Sequence, residues 1–325
     1  MNAPPSQNAP LPAVAKSRTL TNCMAQEKYP VLILGHGEMG QAMEYWLRPR
    51  HDVVIWQRQS KSGRPLDLSA AVARSDFVFF CLPAAPHFEL ATRLRPALRD
   101  TTLCVSIAKG LDDNARTAAQ VFYEVFSEDI PWGVLHGPMI SEEIRAGRPA
   151  FADFASLHPE AYTRLQSLFT GAPFAIRATR DVFGASWSAV LKNVYAILFG
   201  IADGLKLGDN MRGWLAVETV REIEAIVTAL GGAAATPYSL AGLGDLITTA
   251  TSAGSHHHEL GRKLARGESV ALDGEGIHTL KTLYARRPFR LEPYPLLRVM
   301  HDIVEDPDRT RAIVEALLQQ SYRGV

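Results

Sequence analysis

The sequence predicts an α/β chain in two parts, a parallel-sheet domain followed by an all-helical one, and three observations carry that prediction. Short apolar runs alternate with helical patterns from Val31 to Ala178, the order that builds a parallel sheet. A glycine turn, GHGEMG from Gly35, lies between the first run and the first helical pattern. Beyond residue 180 the strand pattern stops, and Phe183 to Gly204, FGASWSAVLKNVYAILFGIADG, is a long apolar segment holding one lysine, Lys192, beside Asn193.

Met1 to about Lys28 is rich in Pro, Ala, Asn and Ser, with no hydrophobic core followed by a cleavage site, and reads as a disordered extension over residues 1–28. The first strand is Val31 to Leu34, after which Gly35, His36, Gly37, Glu38, Met39 and Gly40 lead into a helix. Strand, glycine turn and helix in that order let backbone N–H groups and a helix N-terminus face a pyrophosphate, so a Rossmann-type dinucleotide-binding domain is expected over residues 29–180. Glu38 is awkward beside a pyrophosphate, and its side chain is expected to turn outward. Asp52 to Trp56 is the second strand and Asp76 to Leu82 the third. About twenty residues past the glycines, where a carboxylate would select NAD, stand Gln57, Arg58, Gln59, Ser60 and Lys61. Arg58 and Lys61 suit a 2′-phosphate, so NADP is the expected cofactor ahead of NAD.

Pro83 to Pro86 forms a loop at the same sheet edge, followed by a helix from His87 to Leu94. The next strand, Thr101 to Ile107, runs directly into Ala108, Lys109 and Gly110, which sets Lys109 at a strand's carboxyl end, where such sheets bind ligands. Val134 and Leu135 suggest a strand end before a Gly137–Pro138 turn and a helical start near Ser141, and Phe174 to Ala178 is the last strand. The second domain, residues 181–325, is expected to pack helices at Gly213–Leu230, His257–Arg266, Gly276–Ala285, Tyr294–Val304 and Arg309–Gln320 around the Lys192 segment.

Lys plus Arg equals Asp plus Glu at 34 each, so net charge argues for neither nucleic acid nor an anionic membrane surface. Three cysteines, Cys23, Cys81 and Cys104, lack metal-ligand spacing and cannot all pair, which favours a reducing compartment and a cytoplasmic protein. The richest helical segment carries Lys192 and Asp203, so no membrane span is expected. Ser255 to His258, SHHH, lacks the i, i+4 spacing of a helical metal pair, and no metal is expected.

A lone cation in an apolar helix needs a reason. Beside a nicotinamide, the protein must polarise a carbonyl oxygen in one direction and take a hydroxyl proton in the other, and an ammonium with a lowered pKa does both. Lys192 has burial as its cause and Lys109 can supply a second positive charge. Asp245 in AGLGDLITT would orient the amine, with Asn193 and Thr249 supplying hydrogen bonds; a buried structural Lys192–Asp245 pair is the alternative.

These residues carry a resemblance. GHGEMG from Gly35, AKG from Ala108, Gly137–Pro138, LKNVYAILFGIADGL from Leu191, GDNMR from Gly208, AGLGDLITT from Ala241 and GEG from Gly274 are similar to the NAD(P)-dependent glycerol-3-phosphate dehydrogenases of the bacterial type. The resemblance runs from Val31 to at least His278 and implies a Rossmann-type domain, an all-helical C-terminal domain, a homodimer, and interconversion of dihydroxyacetone phosphate and sn-glycerol 3-phosphate in phospholipid precursor synthesis. It also implies that Lys192 accepts the proton, that Lys109 and Asp245 contact substrate at a site lined by Gly137, and that Glu275 approaches the cofactor, with Pro83 and Ser141 on the cofactor side. Met139 stands where the family usually has Ser or Thr, Ser141 where it has Ala, and His256 and His257 after Ser255 where it has Arg-Asn. Histidine is only partly charged at neutral pH and does not form guanidinium's bidentate phosphate contacts. Three readings stay open: a glycerol-3-phosphate dehydrogenase with His256, Arg262 or Lys263 compensating, a dehydrogenase for a different small hydroxy or keto substrate, and a cofactor-binding paralogue with a regulatory role.

Overall fold

In the computed structural model the chain is described over residues 27–58, 66–252 and 254–323. The expected extension apart from its last two residues, Cys23, and the basic-loop residues Gln59, Ser60 and Lys61 lie outside the described residues. Lys28 is described and pairs with Asp52 at 2.6 Å.

Strand and helix alternate in the first part: β1 (Pro30–Leu34), α1 (Glu38–Leu47), β2 (Asp52–Trp56), α2 (Leu68–Ala73), β3 (Phe77–Phe80), α3 (His87–Leu94), β4 (Leu103–Ser106), α4 (Ala118–Phe126), β5 (Trp132–His136), α5 (Ser141–Arg145), β6 (Ala150–Ala155), α6 (Ala161–Leu168) and β7 (Phe174–Thr179). They form one sheet in the order β2-β1-β3-β4-β5-β6-β7. The strands from β2 to β5 pair in parallel, whereas β6 runs antiparallel to β5 and β7 parallel to β6. Every residue of β3 and β4 is buried, as a parallel sheet covered on both faces requires. The order reverses between β1 and β3, and that switch point opens a crevice at the strands' carboxyl ends.

Strand β6, AFADFA, was not expected from the sequence. Alanine carries little strand preference and Asp153 interrupts the apolar alternation, so only pairing to β5 and β7 makes this segment a strand. Asp153 accepts a hydrogen bond from Ala241 N at 2.9 Å and thereby ties the sheet to the AGLGDL segment.

The second part is helical: α7 (Val182–Gly204), α8 (Gly208–Ala229), α9 (Asp245–Thr251), α10 (His256–Ala265), α11 (Glu275–Arg286), α12 (Pro295–Glu305) and α13 (Thr310–Arg323). Helix α8 starts at Gly208 rather than Gly213, because Gly208 leaves the preceding turn at φ +83° and the polar residues after it form an exposed first turn. Asp181 caps α7 by accepting from Gly184 N at 2.9 Å, and residues 184–202 are all buried. Helix α7 is long and apolar enough to cross a membrane, yet 94% of its apolar window is buried inside the protein. It is the axis of one apolar core, while two others cover the faces of the sheet.

Candidate functional site

The glycine turn sits at the switch point. Gly35 has φ +93°, and a Cβ there would lie 2.4 Å from the Cys81 carbonyl oxygen, so only glycine lets the ends of β1 and β3 approach this closely. At Gly37 nothing lies within 4 Å of a Cβ position, and this residue starts α1 without any side-chain cap on the first-turn N–H groups. Uncapped amides at a helix N-terminus beside open space fit the pyrophosphate of a dinucleotide. A cleft of about 240 Å³ opens there, lined by Gly37, Glu38, Met39, Pro83, Lys109, Met139 and Glu275 among others.

The Glu38 side chain turns to α5, where Arg145 pairs with it at 2.6 Å and neutralises it. Ser141 is buried and its hydroxyl donates to the Glu38 carbonyl at 2.8 Å, so it braces the turn from α5. His36 is engaged with Glu44 on α1 at 2.6 Å. Arg58 is exposed just past the end of β2.

A cluster of charges adjoins the cleft. Asp245 is 3% exposed and its Oδ2 lies 2.7 Å from Lys109 Nζ and 3.2 Å from Lys192 Nζ. Lys192 is 4% exposed and donates to Thr249 Oγ1 at 2.6 Å, and the Thr249 hydroxyl in turn donates to the Asp245 carbonyl at 2.8 Å. Lys109 Nζ donates to the Gly137 carbonyl at 3.1 Å, and Asn193 Nδ2 donates to the Lys109 carbonyl at 3.0 Å. An ammonium has three donors, so one N–H on each lysine is left without a partner among the described residues. The five residues expected to do the chemistry, Lys192, Lys109, Asp245, Asn193 and Thr249, therefore form one connected group.

Burial lowers the Lys192 pKa to about 8, the Lys109 charge acting in the same direction and Asp245 against it. Burial works against the ionised form of Asp245, but the two ammoniums outweigh it and hold this carboxyl below the usual range. Glu275 begins α11 beside the same lysines, and burial raises its pKa.

The SHHH segment divides. Ser255 caps α10 by accepting from His258 N at 3.3 Å, and His256 is exposed at the first helical position. His257 is half-buried near Lys192; burial, then the charges of Lys192 and His256, push it down to about 4, so it is neutral at physiological pH. His258 is bound to Asp203 on α7 at 2.8 Å.

His136, the last residue of β5, was not singled out from the sequence, where it reads only as part of a turn. It is fully buried, neither ring nitrogen has a partner among the described residues, and burial together with the charge of Lys109 pushes it down to about 3. The signal available was a polar residue one position before Gly137, at the end of a buried strand.

Two family models match the chain. Residues 64–161 match the N-terminus of NAD-dependent glycerol-3-phosphate dehydrogenase, and residues 181–315 its C-terminus. Glycerol-3-phosphate dehydrogenase [NAD(P)+] of Acaryochloris marina is 32% identical over 303 residues, covering 90% of this chain and 96% of its own length. That of Synechococcus elongatus is 34% identical over 309 residues, covering 92% and 99%. Among solved structures, glycerol-3-phosphate dehydrogenase from Coxiella burnetii is 27% identical with a TM-score of 0.78 over 89% of this chain and 99% of its own. A ketopantoate reductase from Ralstonia eutropha, 18% identical with a TM-score of 0.51, covers 87% and 99% and shares the fold alone.

Proposed function

The chain belongs to the NAD(P)-dependent glycerol-3-phosphate dehydrogenase family and is an NAD(P)-dependent dehydrogenase, and from that premise we propose that it interconverts dihydroxyacetone phosphate and sn-glycerol 3-phosphate, with Lys192 handling the proton. The observation that carries this reading is the sharing of Asp245 by two lysines, one of which lines the glycine-turn cleft.

The nicotinamide, when bound, supplies or takes the hydride. The uncapped first turn of α1 holds the pyrophosphate, and Arg58 meets a 2′-phosphate, which makes NADP the preferred cofactor. In reduction, the free N–H of Lys192 donates to the substrate carbonyl oxygen and releases its proton as alkoxide character develops; in oxidation, the neutral amine takes the hydroxyl proton. Asp245 and Thr249 fix the direction of that amine. Lys109, with its own free N–H at the cleft, holds a substrate oxygen and keeps Lys192 easy to deprotonate. The family further implies a homodimer, which light scattering of the purified protein tests, and the cysteine usage fits a reducing, cytoplasmic setting.

A second reading has an observation behind it. His257 is neutral beside Lys192, so this part of α10 offers a hydrogen bond where a phosphate prefers a cation, and a keto substrate with a less charged head also fits. NADPH oxidation measured with dihydroxyacetone phosphate beside dihydroxyacetone and small 2-keto acids separates the two. A kcat/KM at least about a hundredfold higher for the phosphate ester is expected, since losing charge-assisted hydrogen bonds to a buried anion costs about 3 kcal/mol. Preference for a non-phosphorylated ketone selects the second reading.

A further inference from the structure

His87, the first residue of α3, is fully buried beneath the cleft and belongs to neither the glycine turn nor the lysine cluster. Its Nδ1 lies 2.9 Å from the Pro83 carbonyl oxygen and its Nε2 2.9 Å from Ser106 Oγ. Ser106 Oγ also accepts from Ala108 N at 3.2 Å, directly before Lys109. A carbonyl only accepts, so the ring proton sits on Nδ1. Burial pushes the ring down to about 4, so it is neutral, Nε2 accepts, and the Ser106 hydroxyl must donate to it. Every donor and acceptor in this chain of bonds then has one role. Its two ends are the loops that leave β3 and β4, and both line the cleft, one at Pro83 and the other at Lys109.

We propose that His87 is a positioning residue: through Ser106 it fixes the loop that carries Lys109, and through Pro83 it fixes the cofactor wall opposite. This rests on the reading of Lys109 given under the proposed function. The ring is wedged between Phe80 at 5.3 Å and Phe122 at 5.9 Å, so it cannot swing to another partner without disturbing the core under the sheet. Ser106 is buried at the last position of β4, and its hydroxyl turns the backbone toward Ala108 by taking an N–H that the sheet no longer pairs.

Two bonds can be removed separately. An asparagine amide reaches roughly as far as Nδ1 and a glutamine amide as far as Nε2, so His87→Asn keeps the Pro83 bond and His87→Gln the Ser106 bond. Ser106→Ala and His87→Asn should each lower kcat/KM for dihydroxyacetone phosphate about tenfold and leave the NADPH dissociation constant within about twofold. His87→Gln should do the reverse, weakening NADPH binding about tenfold with kcat nearly kept. In Ser106→Ala, displacement of Lys109 should also move the Lys192 limb of the pH–rate profile to higher pH, a change that loss of stability alone does not cause. Long-range proton–nitrogen NMR of the intact protein at pH 7 should find the ring proton on Nδ1.

A proton on Nε2, or folded variants whose kinetics all stay within about twofold of the parent while only their unfolding midpoints fall, overturns the inference. Lys109→Ala measured in parallel keeps the two questions apart. If it loses turnover while Ser106→Ala does not, the positioning role fails alone; if it keeps turnover, the reading of Lys109 has failed.

Discussion

Burial strips the Lys192 ammonium of water and Lys109 repels it, while Asp245 and, more weakly, Glu275 hold it. The balance leaves a pKa of about 8, close to the pH at which an acid–base group works best. Reduction needs the protonated form, so its kcat should fall as pH rises through about 8, and oxidation needs the free amine, so its kcat should rise through the same point. Steady-state pH profiles in both directions check this. Asp245→Asn removes the larger attraction and should move both limbs to lower pH. The lysine was legible in the sequence as the one cation of an apolar run. That Asp245 is shared between Lys192 and Lys109 was not, because residues 109 and 245 meet only through folding; nor was His136, whose partnerless ring has meaning only once burial is known.

At the scale of elements, helix packing brings the site together. A Cβ at Gly200 on α7 would lie 2.0 Å from the His258 carbonyl oxygen, and one at Gly261 on α10 would lie 2.1 Å from that of Ile197, so the two helices touch backbone to backbone. That contact is what draws the start of α10, with His257, toward Lys192. Gly276 does the same for α11, since a Cβ there would come within 2.7 Å of the Asn193 carbonyl oxygen. Gly200→Ala should therefore force α10 outward, costing about 1–3 kcal/mol in urea unfolding and raising the substrate KM more than the NADPH dissociation constant. The AGLGDL segment contains a π-helical turn, Leu240–Gly244, immediately before Asp245, anchored by the Asp153 bond to Ala241. Its glycines were visible in the sequence, but an i→i+5 turn has no distinct composition, and its anchor lies on the strand the sequence did not show.

For the whole molecule, strand and helix alternation sufficed to predict a parallel sheet followed by helices, since hydrophobic period and glycine position are local properties. Sheet order and the antiparallel turn-back of β6 are contacts between distant segments, and one sequence does not carry them. On the proposed reading, cofactor choice falls to Arg58, just past the end of β2. Arg58→Ala should weaken NADPH binding about tenfold and leave NADH binding unchanged, as fluorescence titration with each cofactor would read. On the same reading the sheet part supplies the dinucleotide cradle and Lys109 while the helical part supplies Lys192, Asp245 and Thr249, so turnover should require both.

The most direct test is Lys192→Met, which fills the same buried place with an apolar chain of similar length, assayed for NADPH oxidation by dihydroxyacetone phosphate and for NADPH binding on the same sample. Loss of a positioned acid should reduce kcat by about 100-fold to 10,000-fold while the NADPH dissociation constant stays within about twofold. A folded Lys192→Met protein that binds NADPH and turns over dihydroxyacetone phosphate at close to the parent rate would contradict the account.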